Sequence, residues 1–494
     1  MNTTISRLHQ KLTRYVESFN SRDEVIYPQL ITNEAALSYL SEQIPLLECP
    51  DPELEEIYYF RWWTFRKHWK ATEKGHILTE FLPDVPWSGP YNSINCSACL
   101  HIREGRWLAD PSHWLKEYID FWLNGHGNTD SYSAWYAHAL WEYCALHEDA
   151  SFAIHRLPQL VECYERREKK QLRSCGLYWS NDDRDGMEYS ISGPGLRPTI
   201  NSYAWADAVS ISRFASLAGN HALAQHYLQK ADDLKQAINT FLWDGDFYKT
   251  IPAEVSDDFL LASRPTVDSA RNVRELVGYI PWYFDLPDEE KYPAFQALLQ
   301  HRGFFAPAGL TTAEQSHFRF MEKYDHECLW NGPTWPYATS QTLVAAANAL
   351  RRCPQPEFTR EDYYTLLLQY ARSHHRVEES GQILPWIDEN LDPYTGHWIS
   401  REILKDWGWK PEVGGYERGK DYNHSLFCDL VLSGLLGIEA DGQTGISVHP
   451  LIPDWWSYFC VDNLTVQGRK YRIFYDKDGT HYGIRPGLSI QQLS

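Results

Sequence analysis

Apolar residues recur at intervals of three and four from the N-terminus to about residue 440, the spacing of helices that bury one face. The pattern predicts amphipathic helices over residues 5–19, 34–46, 52–69, 111–123, 133–147 and 157–169. It continues over 203–217, 222–242, 341–351, 361–374 and 423–436. Asp51-Pro52 and Asp110-Pro111 join a capping side chain to a first-turn proline, a sound helix start. Strand-like alternation is scarce here, and no 33- or 40-residue self-similarity points to a solenoid. About a dozen helices joined by long loops fit a closed ring of helical hairpins. After residue 440 the period changes to two: GISVHPLIP, NLTVQGRKYRIFYD and THYGIRPGLSIQQL read as short strands. We therefore expect an all-α domain over 1–440 and a short β-rich cap over 441–494.

The loops between the helices have an unusual composition. Aromatic residues make up 15% of the chain, with 21 Trp and 31 Tyr, and many sit beside Gly, Pro, Asn or Asp. Trp87, Tyr91, Trp330, Trp335 and Trp386 are examples. Long loops on a helical scaffold carry function. A flat ring with a polar edge suits a sugar, which offers an apolar C–H face and a rim of hydroxyls.

Charge and cysteines exclude several classes. The net charge of −20 and the absence of a basic stripe argue against nucleic acid; the densest basic cluster, Arg166 to Lys170, reads as a solvated helix end. The apolar runs at 343–350 and 430–438 are too short to span a bilayer, and the first residues lack an apolar signal core, so we expect a cytoplasmic protein without membrane partners. Ten scattered cysteines, such as Cys144, Cys163 and Cys428, read as buried reduced thiols. Cys96 and Cys99 form one C-x-x-C without a second pair, so no zinc site is expected. The expectation is a monomer or small homo-oligomer without cofactor, with structural calcium left open.

Four loop segments carry the candidate chemistry. Residues 181–188, N-D-D-R-D-G-M-E, gather Asp182, Asp183, Asp185 and Glu188, and the following Gly193, Pro194, Gly195 and Pro198 exclude a regular helix. Crowded acids raise one another's pKa, which keeps a carboxylic acid protonated near neutrality. Interleaved Met187, Tyr189 and Ile191 argue against a solvated turn; a calcium loop is the other reading. Asp388 and Glu389 lie in WIDENLDPYTG (386–396), where they fit a general base or a capping turn equally. WNGPTWP (330–336) is a rigid helix entry or a pocket wall. Tyr422-Asn423-His424-Ser425 opens the last long helix, and His424 reads as a hydrogen-bonding or substrate contact.

These segments resemble a known group. Leu177-Tyr178-Trp179 with Asp185-Gly186-Met187-Glu188 resembles the acid-bearing segment of glycoside hydrolase families 63 and 37, E-S-G-M-D-N-S or E-S-G-W-D-F-S. The alignment puts Glu188 at the general-acid position, where those families have Asp; Arg184 stands where they have Glu, and Asp185 is the reserve candidate. Residues 330–335 are similar to the W-R-G-P-x-W loop, with Asn331 replacing Arg. Residues 389–396 are similar to E-x-Y-D-P-x-T-G, whose Glu, here Glu389, is the general base. The order is preserved over roughly residues 55–440, and the longer motifs most resemble the bacterial mannosylglycerate/glucosylglycerate hydrolase-like group.

The resemblance implies an (α/α)6 barrel and an inverting, exo-acting glycosidase with carboxyls about 6.5–9.5 Å apart. Glu188 or Asp185 would protonate the leaving oxygen and Glu389 would activate water. The implied substrate is a small, α-linked disaccharide or glycosylated small molecule. Trp87, Tyr91, Arg197, Asn201, Tyr203, Trp330, Trp335, Trp386 and His424 are expected to line the pocket, with Arg197 offering a fork of donors to hydroxyls or a carboxylate. The rival readings are a rhamnosidase or arabinofuranosidase on a similar scaffold, an epimerase or lyase centred on His326, His424 and Tyr422, and a barrel that only binds sugar.

Overall fold

Two kinds of helix build the molecule, and burial separates them. Pro52–Phe65, Pro198–Leu217 and Pro336–Arg352 are buried around most of their circumference. His221–Phe241 buries only a stripe, Ala224, Tyr227, Ala231, Leu234, Ala237 and Ile238, as a peripheral helix should. Pro198–Leu217 packs on His221–Phe241, Ala150–Gln171 and Tyr136–His147, and Pro336–Arg352 packs on Arg360–Ser373. The computed structural model describes residues 2–111, 114–254, 270–378, 380–410, 414–442 and 445–493. Residues 112 and 113 of the helix expected over 111–123 lie outside these; the described part is Trp114–Leu123.

Helix starts differ from the spacing where all faces are buried. The helices expected from 203 and 341 begin at Pro198 and Pro336, because buried polar residues in the first turn hide the period and proline fits there. Ala98–Gly105 and Ile399–Asp406 are too short for the pattern to reveal. The helix expected over 423–436 begins later. The Asn423 N–H donates to the Glu80 carbonyl at 3.0 Å, so residues 423–427 are loop, and a π-helical turn Leu430–Leu435 follows.

Strands before residue 440 are more numerous than alternation predicts, because they are only two to four residues long. Trp69–Thr72 pairs with Gly75–Leu78, His375–Val377 with Ile383–Pro385, and Trp179–Ser180, Gly195–Leu196 and Ile251–Pro252 form one small sheet. The C-terminal strands Tyr458–Val466, Arg469–Asp476 and Gly487–Leu493 form an antiparallel sheet, as the late change of period predicts. This sheet also takes in Leu46–Glu48, with Leu46 opposite Asp462, so it is stitched to the N-terminal helices. One continuous apolar core joins them, and Trp62, Trp69, Trp107, Trp122, Trp135, Trp282 and Trp456 are fully buried in it. Most of the aromatic excess is therefore packing. No helix among the described residues is long and apolar enough to cross a membrane.

Candidate active site

The loops singled out in the sequence lie ahead of helix N-termini, and backbone hydrogen bonds sew them together. Trp330 N donates to Glu188 O at 3.0 Å, and Thr334 and Leu391 exchange bonds at 2.9 and 3.0 Å. Asp421 N donates to Ile387 O at 3.1 Å, and Asn423 N closes the set on Glu80 O. Two glycines permit the close approaches. Gly186, at φ +71°, turns the acidic loop, and a Cβ there would lie 2.7 Å from Cys96 Sγ. At Gly419 a Cβ would fall 1.8 Å from Asp388 Oδ1, so bare backbone lets Arg418 reach Glu389.

Between these loops opens a cavity of about 230 Å³. Its wall includes four carboxyl groups, Glu80, Glu188, Glu327 and Glu389, one arginine, Arg418, and the aromatic faces of Trp87, Trp330 and Trp335. Trp330 and Trp335 stack at 4.4 Å into one slab, and Trp335 Nε1 is tied to Leu329 O at 2.7 Å.

Each acid has a distinct setting. Burial pushes Glu188 up to about 7, and neighbouring Asp183 and Asp182 push the same way. Against this, Cys328 Sγ donates to Glu188 Oε2 at 3.0 Å. Burial also brings Glu389 to about 7, opposed by the Arg418 guanidinium, whose Nε lies 2.7 Å from Oε1 and whose Nη2 shares the same oxygen. Arg418 Nη1 reaches Glu327 at 3.4 Å. Burial lifts Glu80 to about 8, although the Tyr422 hydroxyl donates to it. The His424 ring lies 3.7 Å from that of Tyr422, tilted by 36°, and burial holds its imidazole well below the usual range, so it is neutral. Among the described residues, neither His424 ring nitrogen nor Trp330 Nε1 has a hydrogen-bond partner. Buried polar groups without partners are costly, and both residues belong to the cavity wall.

The fold scatters the rest of the expected set. Asp185 lies outside the cavity, fully buried, with Arg197 Nε at 2.5 Å, Ser133 Oγ at 2.7 Å and Thr199 Oγ1 all on its carboxylate. Arg197 is consumed by this pair and by the Gly193 carbonyl at 2.6 Å, so its fork cannot reach a substrate. Asn201 caps the Tyr178 backbone, and Tyr203 is buried under Gln341. Tyr91 bonds Glu73 at the surface. Trp386 faces a neighbouring cavity, with Arg376 3.9 Å over its ring. Trp87, 46% exposed, sits at the mouth. The four acids of 181–188 turn to different partners: Asp182 takes Ser190 Oγ at 3.1 Å, and Asp183 is exposed. They do not converge as a calcium loop would. Sequence reasoning missed Glu80, Glu327, Cys328 and Arg418. Glu80 follows a hairpin without any motif, and the only signal for Arg418 is its place among glycines just before Tyr422.

A layered helical scaffold whose loops enclose carboxyl groups and stacked tryptophans is the build of a carbohydrate-cleaving enzyme. The family model of the mannosylglycerate hydrolase MGH1-like glycoside hydrolase domain matches residues 90–425, and the chain belongs to this family of glycoside hydrolases. A solved structure named sialidase is 37% identical with a TM-score of 0.87, covering 98% of this chain and 43% of that one. The chain thus spans less than half the length of that relative. A GH78 family rhamnosidase of a Bacillus species (13% identity, TM-score 0.55, 88% of this chain and 40% of that one) shares the fold. So does a Streptomyces avermitilis α-L-rhamnosidase (12% identity, TM-score 0.50, 88% of this chain and 36% of that one).

Proposed function

We propose that the chain is an inverting, exo-acting glycosidase on a closed (α/α)6 barrel, capped by the β-rich residues 441–494, with Glu188 as general acid and Glu389 as general base. The contrast between the two carboxyl settings carries this reading. Asp183 and Asp182 near Glu188 favour a retained proton; the Arg418 guanidinium on Glu389 favours ionisation. In the proposed step the Glu188 proton passes to the leaving oxygen as the glycosidic C–O bond breaks. Water attacks the anomeric carbon from the opposite face and gives its proton to Glu389. The stacked Trp330 and Trp335 in the cavity wall suit a sugar's C–H face. The small cavity supports removal of single terminal sugars from a small α-linked substrate.

A sialoside is the second reading. The 37% identical relative is named sialidase, and Arg418 is the one Arg or Lys among the described residues of the cavity wall. A sugar carboxylate would then compete with Glu389 and Glu327 for it.

The test is a proton-NMR hydrolysis screen over α- and β-linked disaccharides, glucosyl- and mannosylglycerate, rhamnosides and sialosides, recording the first anomer released. Cleavage with inversion, lost in Glu389→Gln, is the expected result. Retention, or full activity of Glu188→Gln on a poor leaving group, overturns the mechanism.

A further inference from the structure

The two-carboxyl mechanism leaves two buried acids of the same cavity without a task, Glu80 and Glu327; Glu327 pairs with Arg418, and Glu80 is the other. Glu80 is 5% exposed and lines the wall beside Glu188 and Glu389. Its Oε1 accepts from the Tyr422 hydroxyl, while the protein donor on Oε2 is Ser97 Oγ at 3.4 Å, the outer limit of a hydrogen bond. A carboxyl group has room for more partners than these.

We propose that Glu80 is a sugar-binding residue, a third acid of the active cavity whose Oε2 hydrogen-bonds a hydroxyl of the bound glycone. The inference rests on the glycosidase reading and adds a specificity-determining contact to it. Tyr422 bonds Glu80 and its ring lies 3.7 Å from that of His424, so Glu80, Tyr422 and His424 adjoin one another in the cavity wall. Burial keeps the Glu80 proton on at neutral pH, with the carboxyl at about 8, and a neutral carboxyl both donates and accepts. A purely structural task is already filled by backbone. Asn423 N donates to Glu80 O at 3.0 Å and Asn423 Nδ2 to Thr79 O at 3.3 Å, so the segment is held without the Glu80 side chain.

The experiment compares wild type with Glu80→Gln, Glu80→Ala and Tyr422→Phe, with Glu80→Met as the volume-filling substitute if the alanine variant does not fold. Two readouts are taken. One is kcat and KM on 4-methylumbelliferyl glycosides of rhamnose, mannose, glucose and N-acetylneuraminic acid. The other is tryptophan fluorescence of the cavity as the free sugars are titrated in. Glu80→Ala or Glu80→Met should raise KM and weaken sugar binding at least about tenfold. Glu80→Gln, which keeps a donor and an acceptor, should stay within about threefold of wild type. Tyr422→Phe, which removes only the Tyr–Glu bond, should fall between. Three results overturn the proposal: unchanged binding in Glu80→Ala and Glu80→Met, equal damage in Tyr422→Phe, or equal damage in Glu80→Gln. Intact turnover in Glu389→Gln on the same glycosides overturns the glycosidase mechanism instead. A wild type that neither cleaves nor binds any member overturns both.

Discussion

Replacing Arg418 by methionine removes the cation that sits on the proposed base and also reaches Glu327. The guanidinium is 2% exposed and lies 2.7 Å from Glu389 Oε1 through Nε. An opposite charge at this range holds a carboxyl down by roughly one to three pH units. Without it, Glu389 rises from about 7 to roughly 8–10, a change of about 1.4–4 kcal/mol in favour of the protonated form. A general base must be ionised, so activity grows as pH rises through its pKa. The variant should therefore lose roughly 5- to 500-fold in kcat/KM at pH 7, a deficit against wild type that shrinks as the pH rises through the displaced pKa. The assay is kcat/KM from pH 5 to 9.5 on the substrate found in the screen. A deficit against wild type that is the same at every pH would refute the base assignment and leave Arg418 as a substrate contact, as the sialoside reading expects. Unchanged activity would refute both.

Other consequences follow from the same contacts. Cys328→Ala removes the thiol donor 3.0 Å from Glu188, a bond that favours the ionised form, so the acid's pKa rises above about 7 and the basic limb of the profile moves to higher pH. An unmoved limb would contradict Glu188 as the acid. Asp185→Asn leaves Arg197 buried without its counter-charge and should cost roughly 3–5 kcal/mol of folding stability by denaturant titration. A loss below about 1 kcal/mol would show that the pair is not the lock of the acidic loop. Glu80 carries its carboxyl at about 8 in the fold against 4.5 unfolded, so its contribution is full below about 4.5 and is lost as pH rises through about 8. Glu80→Gln should therefore gain stability over wild type from pH 5 to pH 9, approaching roughly 3–5 kcal/mol, in paired thermal melts. Parallel melts across that range would refute the buried, proton-holding Glu80.

Helix content, the β-rich end and the loops of interest are determined by local pattern. Three-to-four spacing needs only one face to be buried, so His221–Phe241 and Arg360–Ser373 are legible, whereas Pro198–Leu217, buried on nearly all sides, shows only its second part. Motif order singles out Glu188, Glu389, Trp330, Trp335 and His424, which the fold gathers around one cavity. Tertiary structure alone decides what each acid becomes. Asp185 and Glu188 are three residues apart in one acidic run, yet one is locked by Arg197 and the other faces the cavity, because Gly186 reverses the chain between them. Glu80 and Arg418 join the site through contacts more than 300 and 29 residues away in sequence, Tyr422 and Glu389 respectively. Desolvation and charge pairing depend on what is packed around a group, and such long-range neighbours leave no periodicity in the chain for a reader of the sequence to find.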